Sequence, residues 1–436
     1  MDYSALRSKI YSCFLDLTTE DGINASGKED VYGCIFGRDS AISILKILKA
    51  TSNAQASSYI DTDALLKICR RALITLVDLQ GRETNGESGE QPGKFIHEYR
   101  KDNYERLLTL DVKPWYIYPD GILRNYDSLD STPLALIAIY RYWQRTGDAE
   151  FLLRVMPGVE AGLNWIITYG DLDKDQLVEY ELPESRAHGG LVVQSWTDSR
   201  ESVLDHEGKF PLYPIAPVEV QGYTWLALKL WAEYYANPAN YAKTEHFAIK
   251  LAKQADALKK RFNETFIFSD EGLSFPAQAL DGVKNQLRTV TGNALLLLWA
   301  SYTKNGKTES VLADEYIQDV VKRSFMDDMF DRDAGIRTMS AKSLTFDASP
   351  NSYHNGSFWP KLNGMSHEGL QNFGFTGEAT LLKEATLKPI MHFDSPIELY
   401  VKDEVNKYLL YRNLQGQESC RNQAWSAAVT LDLLTQ

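Results

Sequence analysis

The stretch Asn293-Ala294-Leu295-Leu296-Leu297-Leu298-Trp299 is apolar on nearly every side of a helix. A helix that is hydrophobic all round lies buried between other elements, not at a surface. Such an inner helix needs further helices outside it. The stretch therefore predicts two concentric helical layers.

Other segments repeat the helical pattern, while convincing strands with alternating apolar residues are nearly absent. In Ser131-Thr132-Pro133, Ser or Thr can cap a helix and proline fits the first turn; Gly147 can end that helix. The sequence thus predicts a mostly α fold. The expected helices lie near residues 3–18, 38–50, 61–80, 131–147, 150–170, 216–236, 244–265, 289–304, 312–326, 359–373, 377–392 and 420–436.

Long loops rich in Trp, Asp, Glu and Gly separate these helices. Loops this long in a compact domain are usually functional, so we expect the site to be built from them. No linker or charge block divides the chain, and residues 1–436 are expected to form one domain. The loops span residues 81–130, 171–215, 327–358 and 393–419.

Composition excludes several classes of partner. A formal charge of -13 repels phosphate backbones and anionic lipid, so we expect neither nucleic acid nor a membrane surface as a partner. The longest apolar run, Ala294 to Ala300, is too short to span a bilayer, and the N-terminus is amphipathic, which predicts a cytoplasmic protein. The four cysteines are scattered without a ligand pattern, and neither a metal nor a cofactor is expected.

Gly37-Arg38-Asp39 is the first candidate for chemistry. An arginine beside an aspartate offers a fork of donors next to an acceptor, which suits neighbouring sugar hydroxyls. The alternative is a helix cap with an ion pair at the surface.

Two further motifs each contain a carboxyl group beside apolar residues. In Gln194 to Ser199, Trp196 precedes Asp198, whose pKa an apolar setting can raise, as a general acid requires. In Ser395 to Tyr400, Glu398 is flanked by apolar and aromatic residues. Taken singly, each motif is as compatible with a structural role as with a catalytic one.

Together these motifs resemble the amylo-α-1,6-glucosidase family, the glucosidase domain of glycogen debranching enzymes, and more distantly the glucoamylases. The resemblance implies an all-α (α/α)6 barrel and an inverting, exo-acting α-glucosidase that cleaves an oligosaccharide or glucan. The matching motifs occur in the family's order: 37–39, 93–100, 130–134, 194–199, 217–223, 335–338, 353–360, 396–400 and 423–425.

The resemblance also implies residue roles. Asp198 is the expected general acid and Glu398 the expected general base, facing each other across one pocket, about 6.5 to 9.5 Å apart if the reaction inverts. Ile397 separates Pro396 from Glu398, where many relatives place proline directly before the glutamate, and Glu418 is a rival for the base. The expected substrate-binding residues are Arg38, Asp39, Trp196, Asp130, His97, Glu98, His354, Asn355, Trp359, Gln423 and Trp425.

Several alternatives stay open at this stage. The first predicted helix begins almost at Met1, so we expect no β-rich N-terminal domain, and short α-glucosides are as plausible as glycogen. A hydrolase of another small α-glycoside, such as a glycosylglycerate, is the runner-up, and a non-catalytic glucan-binding relative is a third hypothesis. A sugar epimerase ranks lower because that chemistry usually needs paired histidine bases. The oligomeric state stays open.

Overall fold

The computed structural model describes residues 3–53, 59–108, 113–240, 245–403, 405 and 407–436. Contacts divide the chain into two compact units. The first unit comprises Met1–Gly170, Tyr180–Asp198 and Asn422–Gln436, and the second comprises Asp171–Glu179 and Ser199–Arg421.

The described residues form twelve α-helices, six in each unit. The first unit contains α1 (Ser4–Asp16), α2 (Gly37–Ala50), α3 (Thr62–Asp78), α4 (Ser131–Thr146), α5 (Ala149–Thr168) and α12 (Ala424–Thr435). The second unit contains α6 (Val218–Ala236), α7 (Glu245–Thr265), α8 (Asn293–Trp299), α9 (Asp314–Ser324), α10 (Pro360–Asn372) and α11 (Thr376–Phe393).

Each unit has two layers of helices. In the first unit, α2, α4 and α12 are buried along most of their length, whereas α1, α3 and α5 bury one face. The helix α2 packs against α4 and α12. In the second unit, α6, α8 and α10 are the buried helices, and α7, α9 and α11 pack against them. The inner and outer layers predicted from the sequence are therefore present within each unit.

The strands are short and no large sheet forms among the described residues. Every sheet has two or three strands. The strands are β1 (Ile35–Phe36), β2 (Glu98–Arg100), β3 (Leu123–Asn125), β4 (Ala216–Pro217), β5 (Ile267–Asp270), β6 (Leu273–Pro276), β7 (Ala279–Leu280), β8 (Gln286–Leu287), β9 (Tyr302–Lys304), β10 (Lys307–Glu309), β11 (Phe330–Asp331), β12 (Gly335–Ile336), β13 (Tyr400–Lys402) and β14 (Tyr408–Leu410).

The helix predicted near residues 289–304 is shorter in the structure. It spans only Asn293–Trp299, and the antiparallel pair β9 and β10 follows it. Asn305 and Gly306 join the two strands with φ values of 52° and 76°. Asn-Gly favours the hairpin turn that needs positive φ at both positions, so the signal for a hairpin was present in the sequence.

No helix in the described part of the chain combines the length and the apolar character needed to cross a membrane.

Candidate functional site

The start of α2 is set by a close contact between two backbone segments. The strand β1 pairs with β2, and the N–H of Gly37 donates to the carbonyl of His97 at 2.9 Å. A β-carbon on residue 37 would lie 2.0 Å from the carbonyl oxygen of Ile96, so only glycine fits at this distance. The contact places Arg38 and Asp39 in the first turn of α2.

Arg38 contacts three carboxylates in the first unit. Its Nη2 lies 2.9 Å from Asp198 Oδ2, its Nη1 lies 3.3 Å from Asp130 Oδ2, and its Nε lies 3.9 Å from Asp39 Oδ2. We call these four residues the Arg38 cluster. The side chain of Asp198 is 24% exposed, whereas those of Asp130 and Arg38 are 0% and 4% exposed. The surface ion pair considered as an alternative for Arg38 and Asp39 is therefore wrong, and Asp198 is the member that solvent reaches.

Burial and charge act against each other in this cluster. Burial raises the pKa of Asp198 above its ordinary value, although Arg38 lowers it; the nearby Asp130 adds to the rise. Burial lowers the pKa of Arg38, but the three carboxylates outweigh burial and raise it. Arg38 thus stays a cation, while Asp198 is biased toward its protonated form.

Asp130 and Asp39 are each held by a second partner. Ser128 Oγ donates to Asp130 Oδ1 at 2.6 Å, and the side chain of Asp130 does not cap α4. Gln423 Nε2 donates to Asp39 Oδ1 at 3.1 Å, just before α12 begins. Gln423, a predicted binding residue, is therefore hydrogen-bonded to a member of the Arg38 cluster.

The other four predicted binding residues of the first unit are buried side chains. Trp196 and Trp425 are buried, with 1% and 4% exposure. Burial, together with the charges of Arg38, Lys94 and Arg100, holds the pKa of His97 well below its usual range, so its imidazole is neutral. Glu98 forms an ion pair with Arg100 on β2.

Glu398 lies in the second unit and both its oxygens accept hydrogen bonds. The hydroxyl of Tyr353 donates to Oε1 at 2.6 Å, and the N–H of Cys420 donates to Oε2 at 2.9 Å. The N–H of Glu398 in turn donates to the carbonyl of Cys420 at 2.9 Å. Its neighbour Ile397 belongs to the buried core, and Glu398 itself is 2% exposed. Apolar packing and a backbone clamp thus hold this carboxylate.

Glu418, the rival carboxylate, has different surroundings. Its side chain is 34% exposed and forms ion pairs with Arg412 and Arg421. Its charge is therefore already matched by two arginines at the surface. These surroundings favour Glu398 over Glu418 as the base.

His354 and Trp359 form a stacked pair in the second unit. Their ring centroids lie 5.0 Å apart with an interplanar angle of 13°. His354 Nδ1 lies 2.9 Å from Ser199 Oγ, and Trp359 Nε1 donates to the carbonyl of Tyr353 at 3.1 Å. The stack thus connects the segment after Asp198 in the chain to the residue that contacts Glu398.

The side-chain amide of Asn355 is hydrogen-bonded to two backbone carbonyls. Its Nδ2 donates to the carbonyls of Glu201 and Thr345, each at 2.9 Å. The amide therefore joins two loops of the second unit.

Two contact residues were missed by the sequence argument. Tyr353 lies in the 353–360 motif but is not among the expected binding residues, although it is adjacent in sequence to His354, which is. Ser199 directly follows Asp198 and contacts His354. Proximity to a chosen residue was the only signal, because the contacts join segments about 45 and 155 residues apart.

Solved structures resemble the whole chain. One is the GH63 mannosylglycerate hydrolase of Thermus thermophilus in complex with Tris, with 13% identity, a TM-score of 0.64, and coverage of 99% of this chain and 100% of that chain. Another is from a family of metal-independent alpha mannosidases, from Streptococcus pneumoniae, with 13% identity, a TM-score of 0.59, and coverage of 99% and 94%. These likenesses, together with the twelve helices, confirm the predicted all-α (α/α)6 fold class.

Comparison by sequence gives the family. A search of curated proteins found none that matches this sequence. The family model described as Amylo-alpha-1,6-glucosidase matches residues 116–432, well over half of the chain. The matched range includes both Asp198 and Glu398. The chain therefore belongs to the amylo-alpha-1,6-glucosidase family and is a glycoside hydrolase.

Proposed function

We propose that the protein is an inverting, exo-acting α-glucosidase in which Asp198 is the general acid and Glu398 the general base. The observation that carries the proposal is the contrast between these two carboxyl groups. Burial raises the pKa of Asp198, whereas Glu398 accepts hydrogen bonds at both oxygens. Different environments move the pKa values of two carboxyl groups apart, so that one can act as the acid and the other as the base.

Asp198 would give its proton to the oxygen of the glycosidic bond. The bond between that oxygen and the anomeric carbon then breaks, and the leaving group departs as a neutral alcohol. Arg38 fixes Oδ2 of Asp198 at 2.9 Å and so orients the carboxyl group. The 24% exposure of the side chain leaves it accessible to a substrate.

Glu398 would take a proton from a water molecule as the water oxygen bonds to the anomeric carbon. Attack on the face opposite the leaving group inverts the anomeric centre, so an α-glucoside releases β-glucose. The donors Tyr353 and Cys420 stabilise the ionised form of a carboxylate, which is the form that accepts a proton.

Arg38 and Asp39 are the proposed contacts for hydroxyls of the terminal sugar. A guanidinium group supplies several donors and a carboxylate supplies acceptors, which matches a pair of neighbouring hydroxyls. Gln423, which donates to Asp39, adds an amide to the same group. Trp196, His354, Trp359 and Trp425 are the proposed aromatic contacts, with Asp130, His97, Glu98 and Asn355 as the polar ones.

A hydrolase of a glycosylglycerate is the second candidate. Its support is the structural likeness to an enzyme named as a mannosylglycerate hydrolase. The two candidates share the acid and the base. They differ in the leaving group and, for mannosylglycerate, also in the sugar.

The test uses maltose, isomaltose, panose, glucosylglycerate and mannosylglycerate, with the anomers of the first product followed by proton NMR. We expect turnover of at least one of maltose, isomaltose and panose, with β-glucose as the first product. Release of α-glucose would contradict inversion, and turnover confined to glycosylglycerates would favour the second candidate. Binding of these sugars with no hydrolysis would instead support a non-catalytic glucan-binding protein.

A further inference from the structure

The segment Asp171-Leu172-Asp173-Lys174-Asp175-Gln176-Leu177-Val178-Glu179 has carboxylates at positions one, three, five and nine. In calcium-binding loops the side chains at positions one, three and five bind the ion, and position nine often binds it through water. The bidentate glutamate of position twelve is replaced here by Leu182. Carboxylate oxygens of Asp171, Asp173 and Glu179 lie within 4.8 Å of one another. The loop therefore concentrates negative charge at one place in the second unit.

The backbone of this loop is folded around its own carboxylates. Asp171 accepts hydrogen bonds from the N–H groups of Asp175 at 3.0 Å and Gln176 at 3.1 Å. Asp175 accepts one from Leu177 at 3.0 Å. Gln176 has φ +85° at the sixth position, where calcium loops have glycine.

The ammonium group of Lys284 lies among the remaining carboxylate oxygens. Its Nζ is 2.8 Å from Asp173 Oδ2 and 3.3 Å from Asp175 Oδ2, and it donates to Glu179 Oε1. The side chain of Lys284 is 19% exposed and that of Glu179 is 0% exposed. The three contacts converge on one nitrogen, as ligands converge on a metal ion.

Lys284 is presented by the turn between β7 and β8. Asp281 holds this turn by accepting hydrogen bonds from Val283 and Asn285 at 3.0 and 2.7 Å. Lys284 has φ +66°, a region that disfavours residues with a β-carbon. A lysine at this place thus brings a backbone cost that glycine would avoid.

We propose that the Lys284 ammonium is the permanent cation of the 171–179 loop, standing where a loop of this pattern would otherwise bind Ca²⁺. The wild-type loop is then neutralised from within the chain and independent of divalent cations. Removal of the lysine side chain frees the ligands and creates a Ca²⁺ site.

The surrounding charges agree with this role. Arg261 Nη2 lies 3.2 Å from Asp175 Oδ2, and Lys174 Nζ donates to the carbonyl of Asp171. Burial raises the pKa of Glu179 to about 7, and Lys284 opposes that rise. Without the ammonium group, the buried Glu179 loses its closest positive charge, and a proton or a divalent cation must compensate its charge.

The experiment compares full-length wild type with Lys284→Ala by thermal melting in EDTA and in millimolar CaCl2, and by Tb³⁺ luminescence. Lys342→Ala is the matched control, because it removes an exposed lysine that pairs with Glu271 at 2.7 Å. We expect Lys284→Ala to melt about 3 to 6 °C below wild type in EDTA, to recover in CaCl2, and to bind Tb³⁺. We expect no response to either ion in wild type or Lys342→Ala.

Asp173→Asn added to Lys284→Ala should weaken the recovery, because it removes one ligand. If Lys284→Ala does not fold, Lys284→Gln provides the same comparison with a side chain of similar reach. Stabilisation of wild type by CaCl2 would overturn the proposal. The proposal would also be wrong if CaCl2 raised the melting temperature of neither Lys284→Ala nor Lys284→Gln.

Discussion

The hydroxyl of Tyr353 donates a 2.6 Å hydrogen bond to Oε1 of Glu398. The Tyr353 ring packs against the rings of Trp359 and Tyr411, at centroid distances of 5.1 and 4.9 Å. These ring contacts restrict the rotation of the phenol and so help to keep its hydroxyl at the carboxylate. Tyr353 is therefore a positioning residue for the proposed base.

Tyr353→Phe should lower kcat by roughly 10- to 100-fold with little change in KM. The variant keeps the ring and removes a hydrogen bond to a charged group, which is worth about 1.5–3 kcal/mol. Steady-state kinetics on the best glucoside measures the effect. Tyr411→Phe is the control, because it also keeps the ring and removes a phenol hydroxyl. Burial, followed by the charges of Glu398 and Glu201, raises the pKa of Tyr411 to about 12, so this hydroxyl is neutral. Equal losses in both variants would contradict a specific role for Tyr353.

Asp198→Asn and Glu398→Gln should respond differently to the leaving group. Loss of acid or base action accounts for about a 10²- to 10⁴-fold fall in rate. Asp198→Asn should be much less impaired on a glycosyl fluoride or an activated aryl glucoside, because these leave with little protonation. Glu398→Gln should be impaired on every substrate, because the water still needs a base. Rates on both substrate classes provide the measurement.

The proposed roles would be wrong if Asp198→Asn were equally impaired on activated and unactivated substrates. Near wild-type rates for both variants on the natural linkage would have the same consequence. Glu418→Gln is the control for the base. Because Glu418 is paired with surface arginines, we expect this variant to keep most of the wild-type activity.

Arg38→Gln should move the alkaline limb of the kcat/KM profile to higher pH. Arg38 lowers the pKa of Asp198, so its removal lets that pKa rise further, and the acid keeps its proton up to a higher pH. The variant should also lose about 3–5 kcal/mol of stability, because buried carboxylates are left without their partner. Lys46→Gln, which breaks the buried pair with Asp432, should cost stability without moving the profile. A limb that stays in place or moves to lower pH contradicts the assignment of Asp198 as the acid.

Gly37→Ala should impair both folding and activity. The added β-carbon meets the carbonyl oxygen of Ile96 at 2.0 Å, which forces the start of α2 and Arg38 to shift. We expect a loss of about 1–3 kcal/mol in a denaturant titration and a fall in kcat. Gly377→Ala in α11 is the control, because nothing lies within 4 Å of its β-carbon, and it should be neutral or stabilising. Unchanged activity in Gly37→Ala would contradict the role given to this contact.

Helix content was predictable because it follows from local periodicity and end signals. All twelve predicted segments contain a helix, and Gly147 ends α4 with φ 66° as expected. The prediction at residues 289–304 is wrong beyond Trp299, because it continues the helix through β9 up to the Asn-Gly turn. The roles of Asp198 and Glu398, and the single domain, stay predictions.

The sequence by itself determined the helical class, the order of the motifs and the resemblance to a glycosidase family, since these depend on residue order and short-range patterns. Only the tertiary structure decided which charges are buried together. It placed Asp130 and Asp198 on Arg38, gave Glu398 the hydroxyl of Tyr353, and left Glu418 at the surface. It also placed Lys284 among carboxylates more than 100 residues away. The physical reason is that a carboxyl group's protonation depends on burial and on charges brought close by distant segments, and no local pattern contains that distance.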